Sequence, residues 1–318
     1  MVEICAQQDK ALTALLAYLR VEAYGFTPVT PLTHQQVLIN RGKTAAASLR
    51  DIFGWSLPFA AQQLPGDLLQ LLKAGAVVGQ APGDLAGLLL SHVRVASLDA
   101  DLFVHSAFPT QARDAVFFGP DTLRFFKLIR DHLPARQANE SLRIADIGCG
   151  SGAGGIMAAR LRMGSQVTLT DVNPLALRYA GVNAAAAGLQ LSLALGDALA
   201  ATTGDFDVIV SNPPYLVDDA ARAYRDGGGD LGRALSVKIA SQALQRLSPG
   251  GRLILYTGVA MVHGVDHFIR DMAPFLGAAG CVYTYEEIDP DVFGEELARP
   301  VYQGADRIAA VGLVAVKA

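Results

Sequence analysis

From residue 142 onward, short apolar runs alternate with stretches of helical period, and this alternation limits the fold more than any other feature. Strands are expected at 142–146, 166–170, 191–195, 206–210, 252–257, 281–288 and 307–316. Helices are expected at 153–162, 174–187, 232–247 and 264–275. The strands are apolar with little alternation, so both faces of the sheet are expected to be covered. Covering them with the intervening helices gives an α/β, doubly wound, mostly parallel sheet of seven strands. No helix separates the last two strands, so the last is expected to run antiparallel.

The first 116 residues have a different character. Leu12, Leu15, Leu16 and Leu19 form one stripe of a helix over 11–23. Further helices are expected at 44–53 and, after the breaker Pro65-Gly66, at 67–74. Two β-rich runs, 92–96 and 102–107, flank a turn at 97–101 and suggest a hairpin. Helices followed by a hairpin suggest a small, mainly helical, winged-helix-like domain over 1–116, ahead of a larger domain over 117–318. A length of 318 residues suits two domains at roughly 100–200 residues each. Phe117-Phe118-Gly119-Pro120 reads as the joint, Asp121 as the cap of a helix over 122–133, and 134–140 as a polar loop.

Composition excludes several function classes. The 26 basic and 30 acidic residues leave a net charge of −4, without the basic footprint of a general nucleic-acid binder. The first 114 residues, with 8 Lys/Arg against 9 Asp/Glu, are close to neutral. Mean hydropathy is high at +0.30, but no uncharged apolar run reaches the roughly 18–20 residues that cross a bilayer. The start, MVEICAQQDK, has no basic segment leading into an apolar one, so no secretion signal is expected. Cys5, Cys149 and Cys281 are odd in number and far apart, which fits a reducing, cytoplasmic location.

Four motifs carry the chemistry. Asp146-Ile147-Gly148-Cys149-Gly150-Ser151-Gly152 closes the first strand of the sheet and opens a helix. Its glycines permit a tight turn and close approach of a ligand, and the helix start offers free N–H groups. Asp171 ends the second strand, where a carboxylate accepts hydrogen bonds from ribose hydroxyls; Asn173 caps the next helix and leaves Asp171 free. Gly196-Asp197-Ala198 follows the third strand, where Asp197 suits an adenine amino group and the N–H of Ala198 a ring nitrogen. Asn212-Pro213-Pro214-Tyr215 follows the fourth. Its prolines fix the backbone and remove two donors, leaving carbonyl acceptors beside the Asn212 amide. With Tyr215 as an aromatic wall, the set suits a planar –NH2 group. All four motifs sit at strand ends, where open α/β sheets bind ligands.

This combination resembles class I S-adenosylmethionine-dependent methyltransferases, and the Asn-Pro-Pro-Tyr form is similar to the branch that methylates amino nitrogens. That branch includes the glutamine-N5 methyltransferases of release factors and the amino methyltransferases of DNA and rRNA bases. The resemblance covers about 117–318 and implies a Rossmann-like domain binding S-adenosyl-L-methionine. It implies cofactor contacts from Asp146, Gly148, Gly150, Gly152, Asp171, Asp197, Ala198 and Asn212, and catalytic roles for Asn212, Pro213 and Tyr215. The acceptor it implies is a protein glutamine or a nucleobase. Gly119-Pro120-Asp121-Thr122-Leu123 keeps the Pro-Asp-Thr core of a segment found in the glutamine enzymes, without its flanking Arg and Glu.

Two other readings remain. A loose G-x-G-x-x-G at Gly150, Gly152 and Gly155, with Asp171, suits an NAD-dependent oxidoreductase, but leaves Asn212–Tyr215 unexplained. A non-catalytic binding module of the same fold would not need Asn212. Gly227-Gly228-Gly229 suggests a mobile lid over 216–232, with Arg222, Arg225 and Arg233 available to an acidic partner. The segment 289–306 suggests an acidic rim from Asp289, Asp291, Glu295 and Glu296. Cys149 is not expected to be a nucleophile, nor His263 and His267 to be metal ligands.

Overall fold

The structure, a computed structural model, describes residues 2–42, 44–135 and 141–318. Residues 136–140 of the expected polar loop lie outside that set. The N-terminal part contains α1 (Val2–Val21), α2 (Pro31–Arg41), α3 (Leu49–Phe53) and α4 (Gly66–Ala74). Two small antiparallel sheets follow: β1 (Val78–Gln80) with β2 (Leu89–Ser91), and β3 (Val93–Leu98) with β4 (Asp101–Ser106).

Several boundaries differ from expectation for local reasons. The helix expected over 44–53 shrinks to α3 because Ser48 caps it, accepting from the N–H of Asp51 at 3.2 Å. The Asp51 carboxylate in turn accepts from the N–H of Ala47 and the Ser48 hydroxyl. The hairpin turn is the Asp99-Ala100 pair, tighter than the loop expected at 97–101, with Asp99 in the left-handed region at φ 49°. Helix α2 and the β1–β2 pair were not expected.

The larger part contains α5 (Pro120–His132), β5 (Arg143–Ile147), α6 (Ala153–Leu161), β6 (Gln166–Asp171), α7 (Pro174–Ala186), β7 (Ser192–Leu195) and β8 (Phe206–Ser211). It continues with α8 (Ala234–Gln245), β9 (Leu247–Val262), α9 (His267–Ala278), β10 (Cys281–Asp289) and β11 (Ala305–Lys317). Gly119 caps α5 and Pro120 fills its first position, so Asp121 lies in the first turn and is not the cap. Helix α9 begins later than expected because Asp266 caps it, accepting from the N–H of Ile269 at 3.0 Å.

The seven strands run in the order β10-β11-β9-β8-β5-β6-β7. All pairs from β9 to β7 are parallel, and β11 lies antiparallel between β9 and β10. The order reverses between β5 and β8, which places the crevice of the sheet at their C-terminal ends. The Ser211 hydroxyl donates to the carbonyl of Ile147 at 2.8 Å and ties the two strand ends together.

The N-terminal part and the sheet share a core. Leu12, Leu15, Leu16 and Leu19 of α1 pack in one cluster with Ala176, Tyr179 and Val182 of α7. Asn183, 1% exposed, accepts from the N–H of Val104 in β4 at 2.8 Å. Its amide donates to the carbonyls of Val104 at 3.1 Å and Ser151 at 2.8 Å. Among the described residues, no helix is long and apolar enough to cross a membrane.

Candidate active site

One cleft collects the motif residues except Gly152. Asp146, Gly148, Gly150, Asp171, Asp197, Ala198, Asn212, Pro213 and Tyr215 line it. Gly152, the residue that caps α6, does not line it.

The glycine turn is shaped by backbone conformation. Gly148, Gly150 and Gly152 have φ of 67°, 53° and 81°, the left-handed region that other residues enter at a cost. A Cβ on Gly148 or Gly150 would meet nothing within 4 Å, so their missing side chains leave open cleft. Gly152 is different: a Cβ there would lie 3.0 Å from the Cβ of Ala180. Gly155 belongs to packing, since a Cβ would lie 2.1 Å from Leu169.

Two carboxylates, a buried Asp146 and a half-buried Asp171, brace the turn. Asp171 accepts from the N–H of Gly150 at 2.9 Å and of Asn173 at 2.8 Å. Asn173 caps α7 by accepting from the N–H of Leu175 at 3.0 Å, as expected. Asp146, 1% exposed, accepts from the N–H of Gly155 at 2.7 Å. Burial pushes its pKa up to about 7, with the charge of Asp171 adding to the effect. Burial likewise raises Asp171, against the pull of its N–H donors. The Cys149 thiol is held well above its ordinary range by burial, which disfavours the reactive thiolate.

At the third strand end Asp197 is exposed and paired with Lys238 of α8 at 2.6 Å. Ala198 is buried at φ 48°. At the fourth, Asn212 is half-buried at the cleft, and its side-chain amide has no hydrogen-bond partner among the described residues. Tyr215 is 7% exposed and packs against Gly258 of β9, where a Cβ would lie 2.2 Å from the ring. Its hydroxyl donates to Asp121, which also accepts from the Tyr256 hydroxyl at 2.7 Å and from Arg124 at 3.1 Å.

The segment 216–232, expected as a mobile lid, is stitched down. Gly227 donates to the carbonyl of Leu216 at 2.7 Å. Cβ atoms on Gly227 and Gly232 would lie 2.7 Å from the Cα and 2.1 Å from the carbonyl oxygen of Tyr215. These two glycines therefore serve close backbone approach, not freedom. The arginines are also committed: Arg222 to Asp218, Arg225 to Glu296, and Arg233 to Asp271. The expected acidic rim is partly neutralised for the same reason. Glu296 is buried between Arg225 and Arg299, and Asp289 pairs with Arg124 at 2.7 Å. His263 is exposed and His267 half-buried at the start of α9, away from the cleft lining.

Sequence reasoning missed the mouth of the cleft. Phe117 and Tyr224 stack there with centroids 5.3 Å apart, and Phe293 meets the edge of Tyr215 at 6.1 Å. Only the two phenylalanines at 117–118 gave a local signal for this wall.

A parallel sheet with its crevice at the β5–β8 switch, a left-handed glycine turn and an acidic second-strand end make a Rossmann-like site for a nucleoside cofactor. Residues 126–261 match the family model for the methyltransferase small domain. Over 293 residues the chain is 32% identical to the release factor glutamine methyltransferase of Rhodospirillum rubrum, covering 78% of this chain and 82% of that protein. Another relative of that name, from Lactococcus lactis, is 35% identical over 43% of this chain, which spans about half (55%) of that protein. In fold, the crystal structure of Trm5b from Pyrococcus abyssi aligns with a TM-score of 0.50 at 15% identity, covering 80% of this chain and 72% of that one. The chain belongs to the methyltransferase family that includes the release factor glutamine methyltransferases.

The residues fit the cofactor of that family, S-adenosyl-L-methionine. The open space over Gly148 and Gly150 is a cradle that side chains would fill, and Asp171 lines it at the second strand end, where an acceptor for ribose hydroxyls was expected.

Proposed function

We propose that the chain transfers a methyl group from S-adenosyl-L-methionine to the planar amide nitrogen of a protein glutamine. The observation that carries this reading is the placement of Asn212, with an unpartnered side-chain amide, in the same cleft as the glycine turn and Asp171. The names of the relatives and the lack of a basic footprint favour glutamine over a nucleobase amine.

The bound cofactor supplies an electrophilic methyl group on a positively charged sulfur. Gly148, Gly150, Gly152, Asp146 and Asp171 hold it; Asp197 and Ala198 take its adenine. Asn212 and the Pro213 carbonyl accept the two amide hydrogens and aim the nitrogen lone pair at the methyl carbon. Those hydrogens become more acidic as the nitrogen gains positive charge, so the same acceptors bind the transition state more tightly than the ground state. Alignment of this kind is worth about 7–11 kcal/mol. Tyr215, expected as a stacking wall for the acceptor, also anchors the turn through its hydroxyl on Asp121, and the departing proton leaves to solvent. Residues 1–116 act as one domain that completes the acceptor side of the cleft through Pro31, Ala115 and Val116, on a catalytic domain of 117–318. The three free cysteines suit a cytoplasmic setting.

The test is transfer of labelled methyl into fractionated lysate from a strain lacking this gene. Label in one protein band that survives nuclease supports the reading. Label lost on nuclease treatment makes the acceptor a nucleobase, and no label from wild-type protein that binds S-adenosylhomocysteine overturns both. The Asn212→Ala variant should keep S-adenosylhomocysteine binding and lose turnover by about a hundredfold or more.

A further inference from the structure

The hydroxyl of Tyr215 is fixed by one carboxylate 94 residues away in sequence. Asp121 is 8% exposed, lines the cleft, and accepts from two tyrosines, Tyr215 on one oxygen and Tyr256 on the other. Arg124 holds Asp121 at 3.1 Å and is itself held by Asp289 at 2.7 Å. Burial raises both phenols well above their ordinary range, so both remain O–H donors.

Tyr215 is constrained on every side. Its ring lies against Gly258, and its backbone lies against Gly227 and Gly232 at distances that exclude a Cβ. Such constraint exceeds what a space-filling aromatic needs. Between Tyr215 and Asn212 stand only Pro213 and Pro214, whose rings lock φ near about −65°. The turn is a stiff lever, and fixing one end fixes the other.

We propose that Asp121 is a positioning residue for methyl transfer: by holding the Tyr215 hydroxyl it sets the 212–215 turn and so aims the Asn212 amide at the acceptor nitrogen. This rests on the methyltransferase reading above. It also explains why the Pro-Asp-Thr core is present although its flanking Arg and Glu are not: Asp121 reaches the catalytic turn directly, and Arg124 supplies the neighbouring cation.

The test compares Asp121→Asn, Tyr215→Phe, Tyr256→Phe and the double variant Asp121→Asn/Tyr215→Phe. Turnover is measured per S-adenosylhomocysteine-binding site, so that misfolded protein does not count. Asp121→Asn and Tyr215→Phe should each lower kcat by about ten- to a hundredfold while KM for the cofactor changes little. The double variant should be no worse than either single one, because both break the same link. Tyr256→Phe removes an equivalent donor from Asp121 without touching the turn, and should leave kcat near the wild-type value. Unchanged kcat in Asp121→Asn and Tyr215→Phe, fully additive losses, or an equal loss in Tyr256→Phe would overturn the proposal. Should Asp121→Asn fail to fold, Tyr215→Phe against Tyr256→Phe decides alone. A wild-type protein without methyl transfer sinks the methyltransferase reading instead, so the two failures are distinct.

Discussion

Asp171 holds the N–H of Gly150 at 2.9 Å, so the acidic end of one parallel strand braces the glycine turn that ends its neighbour. The cofactor turn is thus set before any ligand arrives. Asp171→Ala should release the N–H groups of Gly150 and Asn173 together and weaken S-adenosylhomocysteine binding by about ten- to a hundredfold, at roughly 1.5–3 kcal/mol for a bond to a charged group. Asp171→Asn should lose less melting temperature than Asp171→Ala, because burial already disfavours the ionised carboxylate. Calorimetric titration and a melting curve check both.

Gly150 and Gly152 share a left-handed conformation but not their surroundings. Gly150→Ala should cost about 1–2 kcal/mol from backbone strain alone. Gly152→Ala should cost more, since its Cβ also crowds Ala180 at 3.0 Å. Equal melting temperatures for the two variants would contradict this.

Asp146, raised to about 7 by burial, gives the ligand-free protein a pH dependence. Its unfolded value is about 3.9, so between about pH 4 and pH 7 the unfolded chain gives up a proton that the folded one keeps. This group therefore lowers stability as pH rises through that window, and its effect levels off above it. Binding a cation favours the ionised form. Cofactor affinity should then rise as pH passes upward through about 7, with proton release on binding. Calorimetry in buffers of different ionisation enthalpy measures that proton; Asp146→Asn should abolish it.

Asn183→Ala should strand the backbone groups of Val104 and Ser151 that the side chain now satisfies. The expected loss is about 3 kcal/mol, at roughly 1–3 kcal/mol per buried unsatisfied group. Denaturant unfolding reads it directly.

Arg225 and Glu296 form a buried pair at 13% and 10% side-chain exposure, joining 216–232 to 289–306. Glu296→Gln should loosen this clasp and expose 216–232 to proteolysis, at a cost of about 1.5–3 kcal/mol for one bond between charged groups, since Asp218 still lies 3.6 Å from Arg225. A protease-resistant variant would refute the stitched description.

The sheet was legible because its buried parallel strands are apolar but for a single aspartate, as in Ile144–Ile147 and Phe206–Val210, and because the left-handed glycines punctuate the first of them. What escaped has physical reasons. Helix α2 buries only His34, while Leu32 and Ile39 lie exposed, so no apolar stripe marks it. Its only signal was Thr30-Pro31, a capping residue followed by a first-turn proline. Asp121 looked like a cap because its partners, Tyr215 and Tyr256, are distant in sequence. Gly227 and Gly232 looked like freedom because sequence does not distinguish a glycine that bends from one that lets two backbones touch.

The leucine stripe of α1 and the inner face of α7 are halves of a single core, so the chain offers no seam for recombination. A cut at residue 117 would bare Tyr179 and Val182 and remove Val104 as a partner of Asn183, leaving it only Ser151 beside the cofactor turn. A graft of another relative's head would have to reproduce the α1 stripe and the backbone path at Val104. Substitutions on the outer N-terminal surface leave this shared core intact, whereas those on its inner surface reach the cofactor turn through Asn183.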